Sequence, residues 1–260
     1  MNLTADIVRF SYKNALVLAM ASLLSALGFY VGTDLPQTQL FFWGAVGLAF
    51  FLVVLEISST RLDAKSVALL GILSAVIAAL RPLGAGAVGI EPMWFLLILS
   101  ARVFGPSFGF LLGVVSMFAS ALITGGIGPW LVYQVFAAGW IGLLAGLLPK
   151  NVRGRLEILM LASFGVIAAG LFGLLMDLQF WPWYLASGTQ LSFIPGGAFA
   201  DNLYRFMTFH LATAMAWDIP RAIFTAGLIV VTGSSVLSAL RRTHTRAAFL
   251  APVVFNERVK

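Results

Sequence analysis

A chain of 260 residues that is 60% hydrophobic and only 10% charged, with a mean hydropathy of +0.98, has lipid as its main solvent and is not a soluble domain with one large core. Its net charge of +6 is read as membrane orientation and attraction to anionic headgroups, because so apolar a chain offers no folded soluble face to a nucleic acid. The absence of cysteine excludes disulfides, a catalytic thiol and thiolate-held metal or iron–sulfur centres.

Apolar windows at 15–31, 40–57, 66–80, 92–104, 107–123, 131–148, 157–176 and 220–240 predict an all-α integral membrane protein. The simplest count is about eight spans, since ~20 residues cross ~30 Å of hydrocarbon. The windows at 66–80 and 92–104 are short, and need their flanks or a different tilt to span. A basic start precedes the run Ala15 to Val31 with no small-x-small cleavage site after it, so this window is read as an uncleaved first helix. The first two windows form an N-terminal hairpin, 1–57, with packing residues and little that resembles a site. A polar linker at 58–65 separates it from a core at 66–242, which holds the Gly, Pro, Trp and unpaired polar residues. A basic tail, 243–260, closes the chain.

With the amino terminus inside, 13 of the 16 Lys and Arg residues fall on inner segments and only Arg81, Arg205 and Arg221 on outer ones. That bias follows the positive-inside rule and makes both termini cytoplasmic. The three exceptions are candidates for pairing or for function.

Within the core, Gly71, Ala75 and Ala79 form a small-residue stripe that either seals an internal contact or docks another membrane subunit. The outer turn from Arg81 to Pro92 brings Arg81 and Glu91 together, with Trp94 one turn into the next helix. An Arg81–Glu91 salt bridge and direct ligand contact are both open there. Gly105, Gly109 and Gly113 share one helix face and are read as packing residues. The run Thr124 to Trp130, with three glycines and a proline, makes a tight turn with accessible backbone. Four residues apart on a helix, Trp130 and Gln134 face nearly the same way. An interfacial anchor for Trp130 and an interhelical hydrogen bond for Gln134 are the plain alternatives to ligand binding. The outer segment 177–218 is expected to be a structured cap: Trp181-Pro182-Trp183-Tyr184 and the later glycines interrupt a helix and suit the membrane boundary. From Ala200 to Trp217, around Asn202, Arg205 and His210, the pattern predicts a helix near the interface. Asp218-Ile219-Pro220 then predicts the start of the last span, where Asp218 and Arg221 neutralise each other or meet a ligand.

No phosphate loop is present, so the chain has no visible means of hydrolysing ATP. No His-Glu-x-x-His exists, and His210 and His244 fall on opposite sides of the predicted topology. Glu56 and Asp218 lie near opposite membrane faces, which leaves no acidic relay at the midplane. No catalytic residue, intrinsic cofactor or metal site is assigned.

A bundle with glycine-rich outer turns, a small-residue stripe and no motor resembles the substrate-binding S component of an energy-coupling factor (ECF) vitamin transporter. The resemblance rests on Gly71 to Ala79, Ile90-Glu91-Pro92, Gly105 to Gly113, Gly125 through Gln134, Gly142 and Gly146 before Leu147-Leu148-Pro149, and Leu240-Arg241-Arg242. It implies a six-helix core that captures a vitamin or related micronutrient from outside a prokaryotic inner or plasma membrane. It further implies docking through Gly71, Ala75 and Ala79 to a transmembrane T subunit served by two ATPases, which use the ATP. The extra hairpin departs from the family's six spans. Arg81, Glu91, Trp94, Trp130, Gln134, Trp181, Asn202 and Arg205 are the expected substrate-binding residues. Their aromatic supply, together with Trp183 and Tyr184, makes a cobalamin-like corrinoid the first candidate cargo, with thiamine-like and flavin-like heterocycles also open. The competing classes are a self-sufficient secondary transporter or channel and an intramembrane enzyme acting on lipid.

Overall fold

A computed structural model describes residues 64–84, 88–128, 130–184 and 188–246. The expected N-terminal hairpin, most of the linker and the tail beyond 246 lie outside the described residues. Every regular element described is helical: α1 (Ala64–Leu80), a 3-10 turn (Arg81–Gly84), α2 (Met93–Phe104), α3 (Pro106–Thr124), α4 (Leu131–Leu147), α5 (Arg155–Tyr184), α6 (Phe199–Thr213) and α7 (Met215–Arg246).

Among the described residues, four stretches are long and apolar enough to cross a membrane: Ser66–Gly84, Pro106–Thr124, Arg155–Leu178 and Met215–Thr245. The 3-10 turn thus lengthens the short first window of the core. Helices α2 and α4 are shorter. At 12 residues α2 rises only about 18 Å, and it survives as a central element because ten of its side chains are buried against neighbouring helices. Its Leu97, Ile98 and Leu99 are fully enclosed with Ile77 of α1, Leu111, Leu112 and Met117 of α3, Ile141 of α4, Leu161 of α5 and Ile229 of α7. Helix α6 packs on α5 and α7 at one end of the bundle.

Glycines decide how α3 meets α4. A Cβ on Gly109 would sit on the carbonyl of Gly142, one on Gly113 on the carbonyl of Ala138, and one on Gly146 against the backbone of Pro106. The two backbones therefore touch, the close approach that small-residue faces permit in lipid. The expected packing role of Gly109 and Gly113 is met, while a Cβ on Gly105 would meet open space; this residue, with φ of 96°, breaks the chain between α2 and α3.

Two boundaries differ from expectation. Trp181-Pro182-Trp183-Tyr184 does not interrupt the helix but forms the last turn of α5, whose 30 residues reach about 45 Å, well beyond a hydrocarbon core. So near the carboxyl end Pro182 forfeits one backbone bond, to the carbonyl of Leu178, and the helix tolerates it. Helix α7 likewise starts before Asp218: the amides of Trp217 and Asp218 both donate to the Ala214 carbonyl at 2.8 Å, so Met215 opens the helix directly after α6. Pro220 lies in its second turn, where the lost donor again costs a single bond.

At the end that the charge pattern assigns to the inside, Arg102 of α2 is buried. Its Nε donates to Glu157 Oε1 at 2.8 Å, and its Nη1 and Nη2 donate to the carbonyls of Leu148 and Val152, both at 2.9 Å. Arg241 of α7 donates to the same Glu157 oxygen at 2.7 Å. One carboxylate and two guanidiniums thereby join α2, α5, α7 and the α4–α5 connection.

Candidate functional site

The opposite end, outer in the charge-based orientation, gathers the polar side chains expected to bind substrate, in three groups. The first hangs from the 3-10 turn. Gly84 lies so close to the Ile90 carbonyl that no Cβ fits, which folds the 81–92 connection back on itself. Arg81 then reaches across the bundle, donating from Nη1 to Ser120 Oγ of α3 at 3.0 Å and from Nη2 to Gln134 Oε1 of α4 at 3.3 Å. The guanidinium supplies the partner that a glutamine in an apolar helix needs. Arg81 does not pair with Glu91, the salt bridge left open by the sequence, because Glu91 is engaged elsewhere. Trp130, one turn before Gln134, is half exposed, its indole folded over Gly128, where a Cβ would strike the ring.

The second group is built on the first turns of α7. Gly89, with φ of 71°, lets the 88–92 turn press against the backbone of Trp217 and Arg221. Glu91 Oε2 consequently accepts from Trp94 Nε1 at 2.6 Å and from Arg221 Nε at 3.0 Å. Arg221 Nη1 also donates to Asp218 Oδ1 at 2.6 Å, and its guanidinium lies 5.0 Å from the centroid of the Phe172 ring. Trp94 packs on the same ring at 4.7 Å. The mutual neutralisation expected of Asp218 and Arg221 is present, but one-sided: Asp218 Oδ2 is buried without a hydrogen-bond partner. The carboxylate lies against Gly173 of α5, and a Cβ there would overlap both oxygens. One turn along α5, Asp177 Oδ2 meets His210 Nδ1 of α6 at 2.8 Å.

The third group is the cap. Trp181 donates from Nε1 to the Leu191 carbonyl at 2.7 Å and packs edge-on against Phe193 and Phe206, each at 5.4 Å between centroids. Asn202 accepts from the Ile194 amide and donates to the Ile194 carbonyl, both at 2.9 Å, and Arg205 Nη1 donates to the carbonyls of Thr189 and Gln190 at 3.3 and 2.6 Å. Helix α6 thus holds the 188–197 loop over the end of α5. Its own exposed face carries Phe199, Leu203, Tyr204, Met207 and Leu211, the four-residue recurrence of a helix lying at an apolar boundary.

The expected residues therefore fall together by group: Arg81 with Gln134, Glu91 with Trp94, and Trp181, Asn202 and Arg205 in the cap, with Trp130 one turn before Gln134. The side chains of Trp183 and Tyr184 lie outside the described residues. Ser120, Phe172, Asp177 and His210 join the site without having been singled out for it. Their only sequence signal is polarity, or a ring, at the outer end of an apolar helix.

On one side of α1, Gly71, Ala75 and Ala79 are all exposed, and a Cβ on Gly71 would meet nothing within 4 Å. Among the described residues, this stripe seals no internal contact.

The sequence model of one protein family, the substrate-specific component of ECF transporters, matches residues 65–239. No curated protein and no solved structure matches the chain.

Proposed function

Because the chain belongs to the family of substrate-specific components of ECF transporters, we propose that it captures a vitamin or related micronutrient outside a prokaryotic plasma membrane. It would deliver this cargo inward in complex with a transmembrane T subunit and two ATPases. Members of this family are transporter subunits, and the chain carries no phosphate loop, so the ATP is spent by the partners. The observation that carries the proposal is the exposed face of Gly71, Ala75 and Ala79, flat enough for a partner helix to dock and leave without opening voids.

The cargo site is the outer end, between the 81–92 turn, the 124–134 turn and the cap. Arg81 and Gln134, Glu91 and Trp94, and the half-exposed indole of Trp130 supply its polar and aromatic contacts, while Trp181, Asn202 and Arg205 support the cover. Burial of Trp94 and Trp181 takes away two of the ring faces on which a corrinoid rested. A cobalamin-like corrinoid is accordingly one member of the cargo panel to be tried, with thiamine-like and flavin-like compounds beside it.

Replacing Ala75 by Trp places a bulky ring on the docking face and leaves the cargo site untouched. In cells carrying the full complex, A75W is expected to abolish cargo uptake and co-purification of the T subunit while binding by the isolated chain persists. Unchanged uptake removes the docking assignment. Accumulation of cargo by the purified chain alone in liposomes, driven by an ion gradient, identifies a self-sufficient secondary transporter instead.

A further inference from the structure

The outer cluster places two carboxylates on one guanidinium, and one carboxylate oxygen is left over. Glu91 and Asp218 both bond the single guanidinium of Arg221, Arg81 acts on Glu91 through space, and Asp177 is bonded to His210. Asp218 is 4% exposed, and its Oδ2 has no partner. Asp177 and His210 lie near enough to act on it electrostatically, and the aromatic faces of Phe172 and Trp94 line the Arg221 side.

A half-paired carboxylate this deeply buried is costly, and such groups in membrane proteins mark sites where a partner arrives. Gly173 shows that the room is built for the carboxylate: an alanine at that position would displace it. Arg221 holds Oδ1, which fixes the direction of Oδ2 and presents it as a preorganised acceptor. Among the described residues, no three His, Asp or Glu side chains converge to hold a metal ion, so a bare divalent cation does not fit the arrangement.

We infer that Asp218 is the cargo's charge-recognition residue, its free oxygen accepting from a positively charged nitrogen of the transported molecule beneath the cap. The cargo is therefore a cationic heterocycle or amine. This inference rests on the importer reading and narrows it: neutral and anionic micronutrients lack the group that the free oxygen requires. Asp177 is a positioning residue, since it acts by holding His210 and with it helix α6 over the site.

The test uses the full chain in lipid nanodiscs and four probes: thiamine as a cationic heterocycle, spermidine as an aliphatic polyamine, riboflavin as a neutral ring system and biotin as an anion. Cyanocobalamin is added as the corrinoid. A thermal shift and equilibrium binding are expected with a cationic probe. Asp218→Asn keeps the shape and a bond to Arg221 but is expected to weaken that binding about 10- to 100-fold, the loss of one charge-assisted hydrogen bond. Gly173→Ala, which moves the carboxylate without removing its charge, is expected to weaken it as well, and Asp201→Asn on the exposed start of α6 leaves it unchanged. Melting curves of the probe-free variants report whether each one folds. Binding of riboflavin, biotin or cyanocobalamin that is insensitive to Asp218→Asn overturns the inference, and so does binding of none of the probes. Neither result touches the importer reading, which stands or falls on co-purification of a T subunit and ATPases with the chain.

Discussion

Glu157 sits 1% exposed between two arginines, and its two partners are unequal. The Arg102 side chain is 4% exposed and that of Arg241 47%. Removing one member of a buried pair leaves an uncompensated charge at a cost of about 3–5 kcal/mol, whereas an exposed pair contributes about 0–1 kcal/mol. Glu157→Ala is therefore expected to lower the melting temperature of the detergent-solubilised chain far more than Arg241→Ala. Equal effects of the two show that the Leu148 and Val152 carbonyls alone hold the Arg102 guanidinium well enough. The same residue-by-residue logic shows what could be read in advance at the outer end. Arg81, Arg205 and Arg221 stood out because a cation on the wrong side of a positive-inside pattern needs a reason. What each one touches was not legible: Arg221 meets Glu91 across 130 positions of sequence, and Arg81 meets Gln134 across 53. Asp177 and His210 offered only their polarity, since a lone polar residue near a helix end is ordinary until its partner 33 positions away is known.

At the scale of elements, apolar windows mark where helices lie, because hydrocarbon allows few other ways to satisfy a backbone. Helix ends are less legible in the same sequence. Prolines at 182 and 220 suggested a break and a start, yet each lies inside a helix, because near a terminus the missing donor orphans only one carbonyl. Spacing alone marked Gly105, Gly109 and Gly113 as packing residues and left the Gly71, Ala75 and Ala79 stripe open between an internal contact and docking; the structure separates the two. Gly109 and Gly142 lie backbone to backbone, while Gly71 faces outward into open space. Alanine at 109 or 142 forces α3 and α4 apart, an overpacking cost of about 1–3 kcal/mol or more. Alanine at 71 meets nothing, and stays within about 0.5 kcal/mol of the parent. Unfolding of the three variants in one detergent, followed by helicity, checks the contrast. A Gly71→Ala variant as damaged as Gly142→Ala means that a segment outside the described residues covers the α1 face.

For the whole molecule, orientation rests on the charge asymmetry, and the three outer arginines strengthen it once their bonds are known. Arg81 is held by Ser120 and Gln134, Arg205 by two loop carbonyls, and Arg221 by two carboxylates, so each is retained by a specific contact. At the other end Lys150, Arg153, Arg155 and Arg242 are exposed, at the end that the charge pattern assigns to the inside. The bundle also has its cap on the end without those charges, with the amphipathic face of α6 suited to an outer-leaflet boundary. The natural sequence contains no cysteine, so any cysteine introduced is a unique label. Gln190→Cys in the cap loop and Asn151→Cys in the α4–α5 connection both fall at exposed positions, one at each end of the bundle. In intact cells a membrane-impermeant maleimide is expected to label Gln190→Cys and to reach Asn151→Cys only after permeabilisation. The opposite pattern inverts the protein: the cap and Asp218 would then face the cytoplasm, where capture of an external cargo is excluded by geometry whatever the cluster binds.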